Sequence, residues 1–128
     1  MMSVLVDTSV WIEYLRNGNY SDQIEFLIDE NLIVTNELIL SELIPFLQVR
    51  NRRKLVSLLN TLKKIHIRIN WEKIIAYQYK CLKNGINGIG IPDLIIVQNS
   101  IQNNASIYSL DSHFILMKDL FKLELFDE

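Results

Sequence analysis

The chain has 128 residues, of which 49% are hydrophobic and 22% are charged, and its formal net charge is −2 at pH 7. This length and composition predict one soluble globular domain spanning residues 1–128 and exclude a disordered or fibrous protein. The single cysteine allows no intrachain disulfide. No run reaches the roughly 18 apolar residues of a membrane helix, and the apolar N-terminal stretch lacks a basic leader. We therefore expect a cytoplasmic protein without membrane contact.

The first half of the chain predicts two short strands and three helices. The strands are the apolar runs at residues 4–6 and 32–34. Apolar residues at helical spacing follow the first strand, and that helix should end near Asn17 and Gly18. Candidate N-caps for the next two helices are Ser21 or Asp22 and Thr35 or Asn36. Pro45 should kink or end the third helix.

The second half predicts three more helices and three more strands. An amphipathic helix is indicated by apolar residues on one face, at positions 55, 58, 59, 62 and 65. The alternating sequence HIRI predicts a strand at residues 66–69, and a helix follows at Trp71–Lys83. Pro92 suits the first turn of a helix that is apolar nearly all round and should therefore be buried. The last strands are predicted at residues 106–110 and 122–126.

Short apolar strands thus alternate with helices, which is typical of an α/β fold with a mainly parallel sheet. In such sheets, ligands bind at the carboxyl ends of the strands. Two acids stand at such ends, because Asp7 directly follows VLV and Asp111 directly follows IYSL. If both strands are central and parallel, the two carboxylates lie at the same edge of the sheet.

Two further acids have unusual positions. Asp93 comes at the start of the buried helix. Glu42 has apolar neighbours one turn away on both sides, so it should point from the apolar side of its helix, where a lone charge is costly. Taken singly, Asp7 and Asp111 could be helix caps, Asp93 a first-turn acid, and Glu42 a side chain that reaches water. Taken together, the four acids suggest a shared cluster.

A cluster of four like charges needs a compensating charge, because repulsion raises the pKa values or drives the groups apart. Mg²⁺ or Mn²⁺ meets this need, since both ions prefer carboxylate oxygens and water. A zinc site is not indicated, because His66 and His113 lie far apart in the sequence and the only thiol is Cys81. Each histidine alone is more readily explained as structural.

The middle of the chain is basic, with no acid between Leu43 and Trp71. The candidate phosphate-binding residues of this band are Arg50, Arg52, Arg53 and Lys54. The band could contact phosphate, or it could be the solvated face of a helix. A carboxylate-bound cation near a basic band favours phosphodiester chemistry.

The stretches around the four acids, VLVDTSVWIEYL, ILSELI, IPDLIIV and YSLDSHF, resemble the four successive motifs of the PIN domain. The resemblance is greatest to small bacterial toxins of the VapC type and runs from Val4 to Phe114. It implies a three-layer α/β/α sandwich with a mainly parallel sheet of about five strands. It also implies an endoribonuclease that depends on Mg²⁺ or Mn²⁺.

The resemblance assigns roles to the acids. Asp7 and Asp93 would bind the cation directly, and Glu42 and Asp111 would bind it directly or through water. Together they would carry catalysis, in which an activated water attacks the phosphorus in line and leaves a 5′-phosphate and a 3′-hydroxyl. Hydroxyl groups near the cation are implied at Thr8 or Ser9 and at Ser109.

The resemblance also implies partners. The substrate would be RNA, most commonly transfer RNA, with its backbone held by the basic band. An antitoxin protein would cover the site, docking where Tyr14 and Leu15 lie on the first helix, and a homodimer is expected. Trp11, on the same helix, is more readily explained as a core residue, and for Tyr14 the core and docking interpretations are equally plausible.

Three other protein classes share some of these features. A receiver-type signalling domain needs paired acids near the first strand and a lysine near the last, and this chain offers no good match to that set. A phosphatase of the haloacid dehalogenase type needs a second acid two residues after the first, where this chain has Ser9. A non-catalytic PIN-like module that binds RNA or protein stays open, although the complete acidic set argues against it.

Overall fold

Four short strands form one sheet in the computed structural model, which describes residues 3–126. The strands are β1 (Val4–Val6), β2 (Ile33–Thr35), β3 (Lys63–Lys64) and β4 (Ser106–Tyr108). Their order across the sheet is β3-β2-β1-β4, and every pair is parallel. The predicted α/β fold is confirmed, with four strands in the described residues where about five were expected.

Helices connect and flank the strands. In the described part of the chain they are α1 (Thr8–Asn17), α2 (Ser21–Asp29), α3 (Glu37–Val49), α4 (Arg53–Thr61), α5 (Trp71–Lys83), α6 (Ile91–Gln102) and α7 (Ser112–Phe121). As predicted, α1 ends at Gly18, whose φ of 66° is easily adopted by glycine. Across residues 3–126, no helix has the length and apolar character needed to cross a membrane.

The sheet carries a hydrophobic core on each face, because successive side chains of a strand point to opposite sides. In β1, Leu5 packs with residues of α5, α6 and α7, whereas Val4 and Val6 pack with residues of α1, α2 and α4. Trp11 of α1 is fully buried in the second core, as expected. The three-layer α/β/α arrangement is thereby confirmed.

The predicted strand at residues 66–69 is wrong. The third strand lies earlier, at Lys63–Lys64, and residues 65–70 have no regular structure. Side chains of α6 bind the carbonyl groups of this segment: Asn99 donates to the His66 carbonyl at 3.1 Å, and Gln98 donates to the Asn70 carbonyl at 3.1 Å. These amides satisfy carbonyls that a strand would have paired across the sheet.

The predicted last strand, at residues 122–126, is reduced to one bridge. Ile107 of β4 pairs with Leu125 in parallel, and Phe126 donates its N–H to the Ile107 carbonyl at 2.8 Å. Lys122 has a φ of 56°, in the left-handed region, so it ends α7 and cannot begin a strand. Only a short stretch of extended chain remains beside β4.

Two helix-boundary predictions need correction. Pro45 does not end α3, which continues to Val49; the alternative, a kink at Pro45, stays a prediction. The N-cap of α2 is Tyr20, and neither Ser21 nor Asp22 caps the helix. For α3, one of the two candidate caps is confirmed, because the Asn36 side chain accepts the N–H of Ile39 at 2.8 Å.

Candidate active site

The order of the strands brings the two ends of the described chain together at one edge of the sheet. β1 and β4 are neighbours in parallel register, with Val6 opposite Tyr108. The backbone N–H of Asp7 then donates to the Tyr108 carbonyl at 2.9 Å. The residues that follow each strand therefore meet, as the sequence predicted for Asp7 and Asp111.

Two hydroxyl groups hold the Asp7 carboxylate. Ser109 donates to its Oδ2 at 2.7 Å, and Ser9 donates to the same oxygen at 3.0 Å. The two serine oxygens are 3.3 Å apart. Both serines are fixed in turn by backbone donors, because Asp111 N–H contacts Ser109 Oγ and Leu110 N–H contacts Ser9 Oγ, each at 3.0 Å.

The hydrogen bonds with Ser9 and Ser109 show that the Asp7 side chain does not act as an ordinary helix cap. Asp7 occupies the N-cap position of α1, yet its side chain makes no capping hydrogen bond. Its Oδ2 faces the serines, which orients the carboxylate across the strand ends. Of the two hydroxyls suggested beside it, Ser9 makes the contact, whereas Thr8 Oγ1 is buried without a hydrogen-bond partner among the described residues.

Asp111 does act as a cap, because its Oδ1 accepts the N–H of His113 at 2.9 Å at the start of α7. That role uses one of its two oxygens. Its backbone N–H, two residues after Ser109, donates to Ser109 Oγ at 3.0 Å, which places Asp111 beside the Asp7 network. The cap and cluster interpretations of Asp111 are therefore compatible.

Asp93 lies in the first turn of α6, which begins after the N-cap Gly90. Burial raises the pKa of this carboxyl above its ordinary value, and the negative charge of Asp111 raises it further. A backbone hydrogen bond from Gly90 lowers the pKa, the charge of Asp7 raises it, and His113 lowers it. Asp93 thus interacts electrostatically with both strand-end acids.

Glu42 reaches the cluster from α3. The buried stripe of that helix is Ile39, Leu40, Leu43 and Leu47. Glu42 lies beside the stripe and is solvent-exposed as a residue, so the prediction that it points from the apolar side is wrong. Nevertheless, partial burial raises the pKa of its carboxyl, as do the negative charges of Asp7 and Asp93. Glu42 therefore stands at the rim of the cluster.

The four acids are thus linked by mutual repulsion, Asp111 to Asp93, Asp93 to Asp7, and both Asp7 and Asp93 to Glu42. Burial and this mutual repulsion raise the pKa values of Glu42 and Asp93, and only His113 among the charged groups acting on them lowers one of these values. A hard divalent cation fits such a donor set, because carboxylate oxygens are its preferred ligands. The residues present therefore suit Mg²⁺ or Mn²⁺.

His113 also belongs to this region, which the sequence did not predict. Its Nδ1 lies 3.1 Å from Asp111 Oδ1. Together with Asp93 and Asp111 it offers ligand atoms that all lie within 4.8 Å of one another. The sequence feature that could have indicated His113 as a site residue is its position two residues after Asp111, in the first turn of a helix. His66, by contrast, lies beside the exposed Glu37 at 3.5 Å.

The basic residues divide into two environments. Arg50 donates to the Phe46 carbonyl at 3.1 Å and stacks its guanidinium 3.6 Å from the centre of the Phe46 ring. The other three, Arg52, Arg53 and Lys54, line a cleft of about 810 Å³ between α1, α2 and α4. Apolar residues share this cleft, namely Tyr14, Leu15, Leu55 and Leu58. The cleft therefore has both basic and apolar walls.

Comparison with known proteins gives one family and several similar folds. The family model described as PIN domain matches residues 4–120. The solved structure of VapBC2 from Rickettsia felis bound to a DNA fragment from their promoter is similar, with 23% identity, a TM-score of 0.73 and 98% of each chain covered. DNA-bound VapBC from Salmonella typhimurium has 15% identity and a TM-score of 0.70, covering 90% of this chain and 92% of that one. No curated protein matches the chain.

Proposed function

The chain belongs to the PIN domain family, and on that basis we propose that it is a divalent-cation-dependent endoribonuclease, the toxin of a VapC-type toxin–antitoxin pair. The observation that carries this proposal is a group of acids beyond the ends of β1 and β4: Asp93 and Asp111 have ligand atoms within 4.8 Å of each other, and the charges of Asp7 and Glu42 interact with that of Asp93. Such a set is unfavourable without a cation and well suited to one. The proposal assigns catalysis to Asp7, Glu42, Asp93 and Asp111.

These acids would hold Mg²⁺ or Mn²⁺, with Asp7 and Asp93 as direct ligands and Glu42 and Asp111 as direct or water-mediated ones. When bound, the cation supplies an activated water and offsets negative charge on the phosphate being cleaved. Ser9 and Ser109 orient the Asp7 carboxylate through Oδ2, and this fixed orientation reduces the reorganisation required at the reacting centre.

The proposed substrate is RNA, and transfer RNA is the commonest target in the family. Arg52, Arg53 and Lys54 at the start of α4 form a cationic surface that can hold the phosphate backbone. Such contacts add affinity without reading sequence. Arg50, which packs on Phe46, extends the same basic region.

The proposed protein partner is an antitoxin, and the VapBC structures with the same fold support this assignment. Tyr14 and Leu15 line the cleft between α1, α2 and α4, where such a partner could cover apolar surface. We also propose a homodimer in the cytoplasm. The free, buried thiol of Cys81 is compatible with a reducing compartment.

The function is tested by incubating the purified chain with mixed RNA in Mn²⁺, in Mg²⁺ or in chelator, and by mapping the RNA ends. We expect cleavage only with a cation, giving 5′-phosphate ends. Asp7→Asn should reduce the rate at least 100-fold, because oxygen ligation by a carboxylate is lost at the centre of the cluster. Asp119→Asn removes an exposed carboxylate of α7 and should cleave at the wild-type rate.

Two results would contradict the proposal. If Asp7→Asn cleaves as fast as the wild-type chain with the same cation, the acidic cluster is not the catalytic site. If the folded wild-type chain binds RNA but leaves it intact in every cation, the non-catalytic binding module is the better description.

A further inference from the structure

His113 occupies a position that the four-acid site does not explain. The side chain is about one-third exposed, and its Nδ1 lies 3.1 Å from Asp111 Oδ1. The carboxylate of Asp93 lies on the same side, with one oxygen, one Asp111 oxygen and one His113 nitrogen all within 4.8 Å of one another. The region therefore offers a nitrogen donor as well as oxygen donors.

The separation of these donors matches the spacing of adjacent ligands around an ion. In an octahedral site with metal–ligand bonds of about 2.1 Å, neighbouring ligand atoms are about 3.0 Å apart, which is the bond length multiplied by the square root of two. The observed 3.1 Å between Nδ1 and Oδ1 agrees with that value. The two atoms are therefore spaced like neighbouring ligands of one ion, a spacing that an ion pair between His113 and Asp111 also has.

The loop before α6 leaves room for the imidazole. Gly88 has a φ of 80°, and a Cβ added there would lie 3.7 Å from His113 Nε2. That distance is an ordinary van der Waals contact, so Gly88 lies beside the ring atom Nε2.

We propose that His113 is a nitrogen ligand of a cation position that it shares with Asp93 and Asp111, and that it makes this position favour Mn²⁺ over Mg²⁺. The inference rests on the proposed divalent-cation site but not on RNA cleavage. Its chemical basis is that Mg²⁺ strongly prefers oxygen ligands and water, whereas transition-metal dications accept imidazole nitrogen more readily.

The test is direct detection of nitrogen bound to Mn²⁺ by pulsed electron paramagnetic resonance, together with Mn²⁺ and Mg²⁺ titrations of the purified chain. In the wild-type chain we expect modulation from an imidazole ¹⁴N nucleus. His113→Asn should abolish that signal and weaken Mn²⁺ binding about tenfold or more, while Mg²⁺ binding changes less than about twofold. His113→Leu, which removes all polar atoms, should behave in the same way.

His66→Asn is the matched control, because it also removes a histidine that faces a carboxylate, Glu37, but outside the cluster. It should keep both the ¹⁴N signal and the wild-type Mn²⁺ affinity. Thermal unfolding of each variant in chelator identifies any that fail to fold.

The outcomes distinguish this inference from the proposed function. Mn²⁺ bound without ¹⁴N coupling, in a chain that still cleaves RNA, would overturn the role of His113 alone. The same conclusion follows if the coupling persists in both His113 variants. No Mn²⁺ binding at all would overturn the cation site and this inference together.

Discussion

The buried amide pair formed by Asn36 and Asn99 links two of the helices that carry the site. Asn36 donates from Nδ2 to Asn99 Oδ1 at 2.9 Å, and both residues are fully buried. Asn36 also caps α3, which carries Glu42, while Asn99 belongs to α6, which carries Asp93. We predict that Asn99→Ala strongly destabilises the fold.

The size of the expected loss in stability follows from the polar groups that Asn99→Ala leaves without hydrogen-bond partners. Removing the Asn99 side chain leaves Asn36 Nδ2 without its acceptor, which costs about 1–3 kcal/mol for a buried donor. The Ile65 and His66 carbonyls lose their donor, at 3.4 and 3.1 Å, although the second of these is partly accessible to water. We therefore expect a loss of about 2–4 kcal/mol in the free energy of unfolding.

A double-mutant cycle isolates the pair. Asn36→Ser keeps an oxygen that can cap α3 but removes the amide that faces Asn99. In that background, Asn99→Ala no longer strands a donor, so it should cost about 1–2 kcal/mol less than in the wild-type chain. Urea unfolding of the four proteins in chelator measures these values, provided that the m-value stays constant. A coupling energy below about 0.5 kcal/mol would refute the reasoning.

Two further predictions concern charge. Replacing Arg52, Arg53 and Lys54 with glutamine should weaken RNA binding and make the slope of log K against log salt shallower by about 2. An unchanged slope would mean that these side chains are only solvated and do not contact RNA. Asp93→Asn should raise the melting temperature in chelator at pH 7, because a carboxyl with a raised folded pKa destabilises the fold as pH rises above its ordinary 3.8. The gain in melting temperature should vanish well below pH 3.8. Saturating Mn²⁺ should stabilise only the wild-type chain, by about 2.7 kcal/mol when its concentration is 100 times Kd. A variant that is less stable than the wild-type chain in chelator would contradict this prediction.

The placement of Asp7 and Asp111 could be predicted because it follows from strand topology. Parallel strands deliver their carboxyl ends to one edge, so an acid after each strand is enough to bring two carboxylates together. The hydroxyl contacts of Ser9 and Ser109 could be suggested but not assigned. Which hydroxyl reaches Asp7 depends on side-chain geometry, and Ser9, not Thr8, makes the bond.

Other features depended on contacts between residues far apart in the sequence. The segment at residues 66–69 alternates like a strand, but Asn99 binds its carbonyl from more than thirty residues away. The local sequence pattern gives no information about this distant side chain, which binds the carbonyl in place of a neighbouring strand. Similarly, His113 looks isolated in the sequence, and its proximity to Asp93 and Asp111 appears only when α6 and α7 lie side by side.

The bond between Ser109 and Asp7 joins residues 102 positions apart, and this has a consequence for synthesis of the protein. While a ribosome is still translating the chain, Asp7 is present long before the strand that must lie beside it. The nascent polypeptide therefore lacks the complete proposed site until β4 has emerged, since a contact of such long range cannot be made by local folding. An interrupted translation product that stops before β4 carries Asp7 without Ser109 or Asp111, and the proposed function predicts that it leaves RNA intact.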